Sequence, residues 1–152
     1  MEILNFQNRN IRTIESNGEL WYSAIDVVEI LSDASNPGRY WSDMKRRLNQ
    51  EGSDLYANIV KLKLEGNDGK KYPSDCLNRE GILRLIQSIP SPNAEPFKLW
   101  LANAGEQNIQ ETENPELLFD KIYDHYRAKG MNDTWISSRI RSMEVRNNLT
   151  QR

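Results

Sequence analysis

The chain opens with short alternating runs and closes with longer stretches of helical period. Ile11-Arg12-Thr13-Ile14 is a run of mostly β-favouring residues, separated by Ser16-Asn17-Gly18-Glu19 from Leu20-Trp21-Tyr22. Asn-Gly supplies the positive φ that a two-residue hairpin turn needs, so a hairpin is predicted, with Ile3 to Phe6 as a third strand. Ser23 then stands as an N-cap, and Ala24, Val27, Val28 and Leu31 recur at i, i+3, i+4 and i+7, one apolar helical stripe. After the small polar segment Ser32 to Asn36, Asn36-Pro37 places a capping side chain before a proline at the first helical position. The helix started there turns Trp41, Met44 and Leu48 inward and stops at Gln50-Glu51-Gly52.

Val60, Leu62 and Leu64 alternate with Lys61, Lys63 and Glu65 before Gly66-Asn67-Asp68-Gly69 turns the chain into Lys70-Lys71-Tyr72, a second hairpin with one charged face. Asp75 or Asn78 caps the next helix, whose stripe is Ile82, Leu85, Ile86 and Ile89 until Pro90-Ser91-Pro92. Phe97, Trp100, Leu101 and Ala104 predict a further helix. From Ala104-Gly105 to Pro115 an acidic stretch carries no apolar period and reads as a linker over 106–114, between a domain at 1–105 and a helical hairpin at 115–152. In that hairpin Leu118, Ile122 and Tyr126 mark a helix ending at Gly130, and Asp133 starts the last one with Ile136, Ile140 and Met143 inward. It is too small to bury enough apolar surface alone, and its last helix meets Arg152 without a stop signal, so a longer protein is expected. The class is α+β: small hairpin sheets with packed helices, followed by a C-terminal helical hairpin.

Composition narrows the function. In 152 residues, 20 Lys and Arg stand against 22 Asp and Glu, giving a net charge of -2. That balance excludes a protein that coats nucleic acid indiscriminately, so any such contact must come from a local basic patch. No apolar run approaches the roughly 20 residues of a membrane span, and Met1 to Phe6 lacks the order of a secretory signal, which predicts a cytoplasmic protein with no membrane partner. Cys76 and His125 are single, too few for a disulfide or a structural zinc site. The sequence contains no phosphate-binding loop, no dinucleotide fingerprint, no zinc-protease helix and no nucleophile elbow. His125 has no sequence-local catalytic partner, Cys76 packs near a helix start, and Asp26, Glu29 and Asp33 belong to the exposed face of the first helix. No enzyme activity, catalytic residue, cofactor or metal is expected.

The stronger constellation is helix, short turn, helix. The first helix would brace the second, which presents its N-terminal end and outer face to a DNA groove. Arg39, Lys45, Arg46 and Arg47 stand against Asp43 alone, and Arg39, Ser42 and Arg46 lie opposite Trp41, Met44 and Leu48. Arginine can pair with guanine edges or phosphates, and Tyr40 and Ser42 can donate to phosphate oxygens. Lys61, Lys63, Lys70 and Lys71 on one face of the second hairpin would act as a wing on the phosphates. The competing reading is solvated charge, since lysines also discourage edge-to-edge strand pairing. Arg139, Arg141 and Arg146 form a third basic group, better suited to solvent or a protein partner.

The order Ile11-Arg12-Thr13-Ile14, then Asn17 to Val27 (NGELWYSAIDV), Glu80 to Ile86 (EGILRLI) and Ala94 to Leu101 (AEPFKLWL) resembles the Bro-N domain of BRO-family and prophage antirepressor proteins. The likeness runs from the first hairpin to Gly105. Tyr126 to Gly130, Trp135-Ile136 and Val145-Arg146 are similar to the region that follows this domain in prophage relatives and in proteins like DNA-damage-inducible protein D. The resemblance implies a DNA-binding transcriptional regulator of the antirepressor type with double-stranded DNA as partner. A repressor or recombination protein and a second copy of the chain are further candidates. It carries over no catalytic or DNA-contacting residue, so the basic positions rest on the helix and hairpin argument. The alternative is a protein-binding module that antagonises a repressor or recombination protein without contacting DNA.

Overall fold

The computed structural model describes residues 11–150. The third strand expected at Ile3 to Phe6 lies outside them. The chain divides into two compact units, one up to Leu101 and one from Ala102 onward.

In the first unit, β1 (Thr13–Ser16) and β2 (Glu19–Ser23) form the first hairpin, with Asn17 and Gly18 both at positive φ in the turn. β3 (Val60–Glu65) and β4 (Lys71–Leu77) form the second. The hairpins are not separate small sheets: Tyr22 pairs with Leu77 and Ser23 with Cys76, joining them into one antiparallel sheet of order β1-β2-β4-β3. That pairing covers two strand edges that would otherwise face solvent.

Helices α1 (Ala24–Ser32) and α2 (Pro37–Gln50) follow β2, and α4 (Arg79–Gln87) follows β4. Ser23 caps α1, Asn36 caps α2 and Asn78 caps α4, each side chain accepting from a backbone N–H of the first turn. Asp75, the other candidate for the last of these caps, lies inside β4. Val27, Val28 and Leu31 of α1, Trp41, Met44 and Leu48 of α2, and Ile82, Leu85 and Ile86 of α4 bury into one core with Tyr22 and Leu77. Cutting one of these buried leucines back to alanine costs about 2–5 kcal/mol. A single turn, α3 (Asp54–Ala57), capped by Ser53 and anchored by buried Leu55, is too short to show a period in sequence.

Arg12 locks the hairpin to α1. Its Nε and Nη2 donate to Asp26 Oδ2 and Oδ1, each at 2.9 Å, and its backbone N–H donates to Asp26 Oδ2, also at 2.9 Å. Asp26 is therefore not part of the exposed helix face; its side chain is 14% exposed and committed to Arg12. The third guanidinium arm reaches the Glu65 carbonyl at 2.9 Å, tying in β3.

The second unit begins inside α5 (Glu95–Glu113), which stays helical through the stretch 106–113 that sequence reads as linker. That stretch lacks an apolar period because α5 buries no side chain there; polar residues such as Glu and Gln nonetheless favour helix. α6 (Leu117–Ala128) ends in a Schellman turn, with Gly130 at φ 85° and Met131 N–H bonded to the Tyr126 carbonyl. α7 (Asp133–Thr150) buries Ile136.

Candidate nucleic-acid interface

Asn36 fixes the start of α2 by accepting from the Arg39 N–H at 3.1 Å. Pro37 at the first position costs no hydrogen bond, because the first N–H groups of a helix lack intrahelical acceptors. With Trp41, Met44 and Leu48 buried, Arg39, Ser42, Asp43, Arg46 and Arg47 remain exposed. Tyr40 leaves this face and packs, half-buried, against the core.

On β3, alternation puts Lys61, Lys63 and Glu65 on one face and Val60, Leu62 and Leu64 on the other. The register sets Asp75 opposite Lys61 and Lys71 opposite Glu65, so Lys61, Lys63, Lys71 and Asp75 share a face. Lys70 is not on it. It sits in the turn before β4, its N–H bonded to Asp68 Oδ1 at 2.9 Å.

Helix and hairpin meet at Asp75. Its Oδ2 accepts from Trp41 Nε1 at 2.8 Å and from Lys45 Nζ at 2.7 Å, while Lys61 Nζ lies 3.8 Å from Oδ1. The Lys45 ammonium also stands 5.8 Å from the Trp41 ring centre, a cation–π contact. The Asp75 side chain is only 10% exposed. Burial is the largest single influence and pushes the carboxyl's pKa upward, but hydrogen bonds from Lys45 and Trp41 and the charges of Lys45 and Lys61 together outweigh it and hold the carboxyl below its ordinary range. Asp75 is therefore anionic at neutral pH.

The cations from the two segments thus converge at one point, Lys45 with Lys61, and share it with an acid. Arg46 follows Lys45 by about 100° around the helix axis, so the Arg39, Ser42 and Arg46 face turns away from Asp75. Arg46 is paired with Asp43 one turn back. Among the described residues Arg39, Arg47, Lys63, Lys70 and Lys71 form no ion pair. Sequence reasoning missed Asp75 as the hub. One signal pointed to it: an indole N–H in a buried stripe requires an acceptor, and Trp41 has none on its own helix.

The remaining candidates lie elsewhere. Cys76 is buried in β4, and burial pushes its thiol upward, away from the reactive thiolate. His125 is exposed on α6, edge-on to Tyr126. Among the described residues no group of three His, Cys, Asp or Glu side chains is placed to hold a metal ion, and no helix is long and apolar enough to cross a membrane. A hollow of about 660 Å³ beside α3 and α4, lined by Asp54, Asn58, Glu80, Arg84 and Gln87, holds none of the candidate basic residues.

Residues 10–108 match the family model described as BRO family, N-terminal domain, or Bro-N. No curated protein and no solved structure matches the chain.

Proposed function

The chain belongs to the BRO family through its Bro-N domain, and from that membership we propose that it is a DNA-binding transcriptional regulator of the prophage antirepressor type. The observation that carries this reading is the meeting of Lys45 and Lys61 across α2 and β3, which makes one surface of two chain segments. Lys63 and Lys71 extend that surface along the hairpin, where they would grip phosphates. The N-terminal turn of α2, with Arg39 and Ser42 exposed and α1 packed behind, is the part suited to a groove. The chain's overall negative charge limits sequence-independent affinity, so recognition of particular sites must supply a large share of the binding.

The deciding experiment is a titration of the full chain with random and genomic duplexes at two ionic strengths. Binding that weakens steeply with salt and favours some genomic duplexes is expected; binding indifferent to salt would remove the reading. One observation favours a second reading, a module that binds a repressor or recombination protein without touching DNA. The second unit leaves Leu118, Phe119, Trp135 and Val145 exposed. That reading predicts a protein complex that survives replacement of every hairpin lysine but not loss of residues 115–152.

A further inference from the structure

We propose that Asp75 is an electrostatic brake on the DNA-binding face, holding the cluster it forms with Lys45 and Lys61 to one net positive charge instead of two. This rests on the DNA-binding reading and adds to it a residue that sets how many phosphates the surface can neutralise.

A buried indole N–H needs one acceptor oxygen, and the neutral amide oxygen of an asparagine at position 75 would serve the 2.8 Å bond as well as a carboxylate. The Trp41 bond therefore does not require the negative charge. Its effect falls on the two ammonium groups beside it. Lys45 is drawn onto Asp75 at 2.7 Å and its side chain left only 28% exposed, while Lys61, 70% exposed, keeps its ammonium within 3.8 Å of the same carboxylate. Phosphates approaching this point meet two lysines and an acid within a few ångströms. By contrast, Lys63 and Lys71 on the same strand face have no ion-pair partner among the described residues.

The test is the salt dependence of duplex binding by the full chain. Asp75→Asn adds one net positive charge, so log K against log salt should steepen by about 0.9, a further loss of about 3.5-fold in affinity over a fourfold rise in salt. Affinity at the lowest salt should rise. A second comparison keeps the proposal exposed if an unpaired Lys45 weakens the fold. Lys45→Gln alone should flatten the slope by about 0.9, and Lys45→Gln with Asp75→Asn, which leaves the exposed Lys61 ammonium as the one charge at this contact, should return it to the native value. A double variant that stays as flat as Lys45→Gln, or a folded Asp75→Asn protein with the native slope, overturns the brake while leaving DNA binding intact. A native protein without salt-dependent binding overturns both.

Discussion

Arg12 and Asp26 face each other with two guanidinium nitrogens on two carboxylate oxygens, and the Arg12 peptide N–H shares the same acceptor. The pair joins the segment entering β1 to the first turn of α1, and the bonded carboxylate raises the Arg12 guanidinium further above its already high range. Asp26→Ala should lower stability by about 2 kcal/mol, the worth of a charge-assisted hydrogen-bond set at a partly exposed site. Urea unfolding followed by tryptophan fluorescence measures it. An unchanged midpoint would show that the clamp contributes nothing net.

That pair also shows where sequence reasoning stops. Elements and caps built from near neighbours were legible: the Asn17-Gly18 turn, the Ser23 and Asn36 caps, and the stripes of α1, α2 and α4 follow from spacing alone. Contacts between distant segments were not. Nothing local distinguishes Asp26, held by a residue 14 positions away, from Glu29 on solvent, or Asp75 in β4 from a helix cap. The union of two hairpins through Ser23 and Cys76 was hidden for the same reason, since both residues read as helix-flanking positions. At the candidate interface, charge was visible in sequence but its cancellation was not: Asp43 could be counted against Arg46, whereas Asp75 lies 30 residues from Lys45.

Two glycines inside helices should answer opposite ways to alanine. At Gly81 of α4 a Cβ would sit 3.0 Å from both Cβ and Cδ2 of buried Leu77, so crowding at the sheet should outweigh the helix gain and cost about 1 kcal/mol net. At Gly105 of α5 nothing lies within 4 Å, and Gly105→Ala should stabilise the helix by about 1 kcal/mol. Thermal melts of the two variants compare the signs directly. Stabilisation at Gly81 would mean that Leu77 shifts freely.

Acid should weaken the contact between α2 and the sheet. Asp75 is held below the ordinary carboxyl value of 3.8, so the folded protein keeps the anion more tightly than the unfolded chain does. Its contribution is complete above that value and disappears as pH falls through the lowered folded value. The stability difference between the native protein and Asp75→Asn should therefore be constant near neutrality and shrink in strong acid. Unfolding free energies from pH 7 to pH 2 would reveal it; a difference independent of pH would place the carboxylate's role in hydrogen bonding alone.

The two halves of the candidate interface should fail in different ways. Lys63 and Lys71 lie on an exposed strand face and can meet only the phosphate backbone in the proposed arrangement. Replacing either with alanine should weaken binding to every duplex alike and reduce the salt slope by about 0.9. Arg39 stands in the first turn of α2, where recognition helices present side chains to base edges. Arg39→Ala should narrow the gap between preferred and random duplexes by about 1–3 kcal/mol, the discrimination carried by one bidentate base contact. Competition titrations with both duplexes separate the cases. If Arg39→Ala lowered all affinities equally, Arg39 would be another phosphate contact and α2 would lie across the backbone instead of in a groove.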